Sequence, residues 1–254
     1  LMPPNRISYT DGDLFPSMDM NLPEGFLFQR IMELHPKRQL TKMHFLALAG
    51  RNGIGRVGFS LPAASALQVA STPSISRQSI LHSTAGSALF EQLLDAYLST
   101  GAGISGVQPK VMVPSSEKAR ASIAIPDLIV KTEGPEYPGL SANEFMCLTA
   151  AAAAGIKTPT FDLSADGSIL VIDRFDIAED GKRLGFEDIA ALKGLRVLDR
   201  LSTRKYEGSY EDVARVIGLL LSSPDDSLHR FFEQLAFSVM VRNGDAHLKN
   251  FEIG

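Results

Sequence analysis

The dipeptide Asp166-Gly167 lies between two short runs of strand-forming residues, 160–164 and 168–175. An Asp-Gly step at that place turns the chain back on itself, because both residues tolerate the positive φ that a tight hairpin needs. Two further strand-type runs, 107–113 and 123–131, precede it. Helical periodicity takes over after it. Val213, Val216, Ile217 and Leu220 form one stripe. Leu228, Phe231, Phe232, Leu235, Val239 and Met240 form another, apolar nearly all round and expected to be deeply buried. Strands first and helices second predict an α+β fold, a sheet lobe followed by a helical lobe.

Other helices are expected around Phe26, Ile31 and Leu34 (stopped by Pro36), over 43–49 (closed by Gly50), and along Leu89, Leu93, Leu94 and Tyr97. A strong one opens at Ser141, runs through the alanines 150–154 and closes at Gly155. Residues 71–78 read as a linker, and Phe251-Glu252-Ile253 as the start of a strand. The expected division is a small N-terminal domain over 1–84, a nucleotide-binding sheet lobe over 85–190, and the start of a helical catalytic lobe over 191–254.

A net charge of −4 argues against nucleic-acid binding as this chain's main task. The single cysteine, Cys147, cannot form an internal disulfide and fits a reducing cytoplasm or simply an inert core thiol. No apolar run is long enough to span a membrane. The chain begins at Leu1 and stops just past an apolar run, which reads as a fragment of a longer protein.

The chemistry is concentrated in Gly244-Asp245-Ala246-His247-Leu248-Lys249-Asn250. An Asp followed five residues later by an Asn, past a long apolar helix, is an arrangement of phosphotransferases. The Asp handles the proton of the attacking hydroxyl and the Asn reaches a magnesium ion on the ATP phosphates. His247 and Lys249 flank the Asp, where a hydrogen-bonding group and a cation stabilise the transferring phosphoryl group. No second His or Cys stands at a zinc-ligand spacing from His247.

Upstream, Gly101-Ala102-Gly103-Ile104-Ser105-Gly106 matches G-x-G-x-x-G, but a helix precedes it and a strand follows. That context excludes a dinucleotide fingerprint and leaves a phosphate-covering loop ending in Lys110, or a plain connection. Lys131 ends an apolar strand, either to meet phosphates or to snorkel from a strand end. Glu144, three residues after Ser141, completes a capping box or orients the strand lysine. The order of these features, loop, strand Lys, helix Glu, hairpin, helices, Asp and Asn, is that of an ATP-dependent phosphotransferase.

These motifs resemble those of HipA-type serine/threonine protein kinases, the toxins of bacterial toxin–antitoxin pairs. Ser105-Gly106-Val107-Gln108-Pro109-Lys110 is similar to their S-G-x-Q-x-K signature. Asn243-Gly244-Asp245-Ala246-His247-Leu248-Lys249-Asn250-Phe251 is similar to their N-x-D-x-H-x-K-N-F loop. Asn143-Glu144, Arg174-Phe175-Asp176 and Leu22-Pro23-Glu24-Gly25 resemble further family segments. The resemblance implies a kinase-like two-lobed fold, with a mixed β-sheet N-lobe and a helical C-lobe incomplete in this chain. It implies ATP and Mg2+, transfer to a protein hydroxyl, and inhibition of translation through a target such as an aminoacyl-tRNA synthetase. It implies a DNA-binding antitoxin as partner, with DNA contacted only through that partner and no membrane.

By the same resemblance, Ser105, Gly106, Val107, Gln108, Pro109 and Lys110 form the phosphate loop and Lys131 pairs with the nucleotide. Glu187, Asp188 and Ile189 form the adenine-side hinge, and His247 and Asn250 complete the nucleotide site. Asp245, with His247 and Lys249, is catalytic, and Asn250 is a magnesium ligand. The family's second metal-binding Asp, in a Tyr-Asp pair, has no counterpart before Gly254. Its regulatory serine position falls on Gly103, which leaves Ser105 as the candidate for regulatory phosphorylation. The alternatives are a small-molecule phosphotransferase of the aminoglycoside-kinase type, which shares the G-D-x-H-x-x-N loop, and a pseudokinase binding module.

Overall fold

The computed structural model describes residues 8–50, 53–59, 74–99, 108–116, 126–196 and 204–253. They fall into two compact units, Asn21–Leu184 and a second that joins Leu1–Met20 to Gly185–Gly254. This grouping cuts the chain after 20 and 184, whereas the three-part division expected from sequence cuts it after 84 and 190. The chain opens in the second unit with α1 (Pro16–Asp19), a single turn with proline at its start, where the missing N–H costs nothing.

The sheet unit begins with α2 (Gly25–Leu34), which ends just before Pro36, and α3 (Lys42–Ala49), capped by Thr41. α4 (Arg77–Leu81) follows, so the segment expected to be a linker already turns helical at Arg77. In α5 (Gly86–Ser99), Phe90, Leu94 and Tyr97 lie on one face and are fully or almost fully buried. Then come β1 (Lys110–Val113), β2 (Leu128–Thr132), α6 (Leu140–Ala153), β3 (Phe161–Leu163) and β4 (Ile169–Asp173).

The four strands form an antiparallel sheet in the order β1-β2-β4-β3. Burial is continuous along Val111–Val113, Leu128–Val130 and Ile169–Ile172. Successive strand residues point to opposite faces, so the sheet is covered on both. α5 packs on β1 and β2, and α6 packs on β2, β3 and β4. The predicted hairpin is present, and Gly167 takes φ 77° in its turn. Asp166 organises that turn by accepting from Ser164 Oγ (2.6 Å), Ser168 N (3.1 Å) and Ser168 Oγ (2.8 Å). Arg77 ties α4 to the sheet edge, donating to Asp162 at 2.6 Å and Asp173 at 2.5 Å.

The Arg174-Phe175-Asp176 segment has a structural use. The Arg174 and Asp176 side chains are 0% and 1% exposed. Arg174 grips both carboxylate oxygens, Nε to Oδ1 at 2.9 Å and Nη2 to Oδ2 at 2.6 Å. Its remaining reach goes to the carbonyls of Pro126 (3.2 Å) and Gly53 (3.0 Å), while Gly55 N donates to Asp176 Oδ2 at 2.7 Å.

The helical unit contains β5 (Glu187–Asp188), α7 (Ile189–Leu192), a 3-10 turn (Arg204–Tyr206), α8 (Tyr210–Leu220), α9 (Asp225–Met240), a second 3-10 turn (Leu248–Asn250) and β6 (Glu252–Ile253). A capping box of Ser209 and Asp212 starts α8. The Lys193 ammonium at 2.8 Å, the Ser209 amide and Arg215 hold the Asp212 carboxyl down at about 2. The core comprises Ile189, Ala190, Val213, Ile217, Phe231, Leu248 and Phe251. Within this unit α1 packs on α7, and Arg196 fastens the N-terminal segment by donating to Leu14 O at 2.6 Å and pairing with Asp11. α9 departs from its expected deep burial. Its Leu228–Phe231–Leu235 side faces the core, but Phe232, Val239 and Met240 are 66%, 69% and 81% exposed. The described residues of the unit supply a packing partner on one side of this helix only.

Removing the Asp176 charge should be costly. Burial pushes its carboxyl up, but hydrogen bonds and charge from Arg174, the Gly55 amide and the Arg183 charge outweigh this and hold it below the ordinary 3.8. A depressed carboxyl contributes stability above its unfolded value, and that stability is lost as pH falls through the folded value. Asp176→Asn, which strands the Arg174 charge, is expected to cost about 3–5 kcal/mol at neutral pH. Urea unfolding measured from pH 7 to pH 3 should show the gap to wild type narrowing only below pH 3.8. A gap that is absent at pH 7 would contradict the assignment.

Candidate active site

The nucleotide-side candidates lie in the sheet unit. Ser105, Gly106 and Val107 fall outside the described residues. Gln108 and Pro109 lead into β1, and both hold on to the end of β2. Gln108 Nε2 donates to Thr132 O at 3.3 Å, and Thr132 N donates to Pro109 O at 3.0 Å. The β1–β2 register sets Lys110 directly opposite Lys131. Directly opposed residues project to the same face, and two like charges there repel. Such a pair suits a face that meets a polyanion.

Lys131 forms an ion pair with Glu144 of α6, and both side chains are mostly buried. This decides between the two uses open to Glu144. α6 starts at Leu140, one residue before Ser141, with Gly139 (φ 78°) at its N-cap and no side-chain cap, and Ser141 Oγ donates instead to Ser168 O at 3.0 Å. With Ser141 inside the helix there is no capping box, and the Glu144 carboxylate is used on the strand lysine.

The other candidates lie in the helical unit. Asp245 follows α9, and its backbone is fixed from both sides. Its N–H donates to Asn243 Oδ1 at 3.0 Å, and its carbonyl accepts from His247 N at 2.8 Å and Asn250 Nδ2 at 2.7 Å. The Asp-to-Asn spacing thus closes a small ring: the side chain of Asn250 reaches the peptide of Asp245. Asn250 N also donates to His247 O at 2.9 Å, and Lys249 lies half-buried in the same 3-10 turn. The Asp245 side chain is 70% exposed, whereas that of His247 is only 8% exposed, with Nε2 at 4.0 Å from Asp245 Oδ1.

Glu187, Asp188 and Ile189 sit beside the exit of this loop. β5 pairs with β6, and Ile189 N donates to Phe251 O at 2.9 Å. Asp188 is buried and caps α7 by accepting from Ala191 N at 2.7 Å. The structure therefore gathers Asp245, His247, Lys249, Asn250 and residues 187–189 in one unit, and Gln108, Pro109, Lys110 and Lys131 in the other.

With this geometry in place, the relatives are informative. The family model for the HipA-like C-terminal domain matches residues 102–253, and that for the HipA N-terminal domain matches 1–60. The chain belongs to the HipA family. Two curated relatives come from Sinorhizobium fredii. "Putative kinase Y4dM" is 31% identical over 171 residues, 59% of this chain and 40% of that protein. "Putative kinase Y4mE" is 26% identical over 160 residues, 60% of this chain and 37% of that protein. The chain thus spans about two fifths of their length. The HipA of a solved Shewanella oneidensis complex with HipB and operator DNA has the same fold, with TM-score 0.64 at 19% identity over 93% of this chain and 59% of that one. The α+β architecture is accordingly the kinase-like fold of HipA. Among the described residues, no helix is long and apolar enough to cross a membrane.

One neighbour of the site was not legible in the sequence. Tyr206, 39 residues before Asp245, donates its hydroxyl to Asp245 Oδ1 at 2.6 Å and stands edge-on to the His247 ring at 5.1 Å. No motif or spacing marks it. The cap that ends α9 uses no glycine. The residue that ends α9 in the left-handed region is Arg242, at φ 56°. Arg242 N donates to Val239 O at 3.1 Å and Asn243 N to Ser238 O at 2.8 Å, the two bonds of a Schellman cap. A side chain in that conformation costs about 1–2 kcal/mol, and glycine avoids the cost. Arg242→Gly is therefore expected to stabilise the protein by about 1 kcal/mol, read as a rise of about 2–4 °C in melting temperature. A lower melting temperature would mean that the arginine side chain makes compensating contacts.

Proposed function

We propose that the protein is an ATP-dependent serine/threonine kinase of the toxin type, which transfers the γ-phosphate to a protein hydroxyl. The observation that carries this reading is the Lys131–Glu144 ion pair beside Lys110, the strand-lysine and helix-glutamate pair by which kinases aim an ammonium at nucleotide phosphates. In the proposed step the acceptor hydroxyl oxygen attacks the γ-phosphorus. The bond to the bridging oxygen of ADP breaks, and the hydroxyl proton passes to the Asp245 carboxylate. His247 and Lys249 support the charge that develops. Gln108, Pro109 and Lys110, with Ser105, Gly106 and Val107, form the phosphate side of the site, and Glu187, Asp188 and Ile189 the adenine side.

Asn250 suits a hard cation. Its amide N–H is spent on Asp245 O, which leaves the side-chain carbonyl as a neutral oxygen donor. Among the described residues no cluster of three or more His, Cys, Asp or Glu could hold a metal, and Asn250 would hold a magnesium ion together with phosphate oxygens and water. Magnesium there would neutralise charge on the phosphates. The Shewanella relative was solved with HipB and operator DNA. By analogy the partner of this protein is a DNA-binding antitoxin, and DNA is met only through it. The target would be a component of translation in the cytoplasm, an aminoacyl-tRNA synthetase being the model.

The test uses the full-length protein, labelled ATP and candidate protein acceptors. Asp245→Asn is expected to cut transfer by on the order of 10²–10⁴ while an ATP analogue still binds in calorimetry. Lys131→Met should weaken that binding by about tenfold or more, the loss of one charge-assisted contact. Label passing to an aminoglycoside and not to protein would replace the protein-kinase reading, and nucleotide binding without any transfer would leave a binding module.

Ser105 is the only hydroxyl residue between Gly101 and Lys110. Phosphate there adds about −1.5 to −2 charges, which would repel the ATP phosphates and switch the enzyme off. Mass spectrometry of active protein should find phosphoserine at Ser105, and a Ser105→Ala variant that still inactivates itself would reject this control.

A further inference from the structure

We propose that Tyr206 is the positioning residue for the Asp245 carboxylate, an inference that rests on the kinase reading of the same loop. The need for such a residue comes from the loop itself. Asn243, His247 and Asn250 fix the peptide of Asp245 by hydrogen bonds that do not reach its carboxylate, which His247 Nε2 approaches only to 4.0 Å. That carboxylate is 70% exposed, and two side-chain torsions separate it from the clamped backbone. Water alone would leave it to sample several rotamers.

Tyr206 removes that freedom. Its hydroxyl donates to Oδ1 at 2.6 Å, the short distance of a charge-assisted bond. The tyrosine is itself supported. Its ring meets His247 edge-on, with centroids 5.1 Å apart and an interplanar angle of 85°. The 3-10 turn that carries it packs against the turn Leu248–Asn250, and the preceding Lys205 is buried. A second tyrosine braces the same loop, with Tyr210 Oη donating to Ala246 O at 3.2 Å. With Oδ1 held by Tyr206, Oδ2 is the oxygen presented to an incoming hydroxyl, so the proton leaves the nucleophile along one direction. Tyr206 touches neither the acceptor nor the nucleotide in this scheme. It acts through Asp245.

The test has two independent readouts on the full-length protein. The first is the contact itself. With tyrosine labelled by carbon-13 at the ring carbon bearing the hydroxyl, the resonance missing from Tyr206→Phe must move in Asp245→Asn. The second is kinetic. Tyr206→Phe should lower kcat by about 10- to 100-fold, the range for a lost hydrogen bond to a charged group, with the KM for ATP and the melting temperature unchanged. On the Asp245→Asn background the same substitution should cost nothing further, because the group it acts through is gone. An unmoved resonance, wild-type kcat in Tyr206→Phe, or an equal additional loss on the Asp245→Asn background would each overturn the proposal. A wild-type protein that transfers no phosphate, in which the resonance nonetheless moves, overturns the kinase reading and with it any role in positioning for transfer.

Discussion

A guanidinium and a carboxylate taken out of water together cost several kcal/mol each unless their hydrogen-bonding capacity is met in place. The Arg174–Asp176 pair meets it from three separate segments: its own strand end, the carbonyl of Pro126 at the entry to β2, and the backbone of Gly53 and Gly55. That junction anchors the two central strands of the sheet and binds the N-terminal part of the unit to them. The rest of the nucleotide side follows from strand register. Once β2 is fixed beside β4, Lys131 stands across from Leu170, and β1 then brings Lys110 across from Lys131. The charge pair secures the strand ends from which this register runs, and it touches neither lysine.

What could be read from the sequence was what is local in it. The Asp166-Gly167 turn, the glycine that ends α6, and the 3.6-residue stripe of α8 each encode their geometry within a few residues, and each element forms where expected. Glu144 marks the limit. Three residues after a serine it satisfies the capping pattern, yet the helix starts one residue earlier and the carboxylate turns to a strand lysine. Tertiary pairing won over a local motif because a charge partner on the sheet offers more than a neutral amide at an already formed helix start. α9 failed in the opposite sense. Its apolar residues recur at helical spacing, but burial depends on neighbours, and Phe232, Val239 and Met240 remain mostly exposed.

The loop around Asp245 divides along the same line. Its backbone frame is built from residues 243–250, so the spacing of Asn243, Asp245, His247 and Asn250 is a direct image of the hydrogen bonds that close it. A pattern of that kind can be recognised without coordinates. The carboxylate is steered by Tyr206, which reaches the loop only because the 3-10 turn before α8 folds back against it. Nothing in the spacing of the chain records that return.

The two ends of the loop are held by different means. At the entry, α9 is stopped by a Schellman cap that forces Arg242 into the left-handed region, a conformation an arginine does not take by preference. At the exit, β6 pairs with β5 and the Phe251 carbonyl accepts from Ile189, so the strand after the loop is tied to the start of α7. The aromatic ring of Phe251 is buried in the same core as Phe231 of α9, at 5.2 Å and nearly perpendicular. The helix before the loop and the strand after it are thereby packed on each other. The loop between them is short and bonded to itself, and shifting it as a body would require breaking either the cap or the strand pair. The exposed Asp245 side chain is then the least constrained part of an otherwise fixed loop, which is why one phenolic hydrogen bond suffices to orient it.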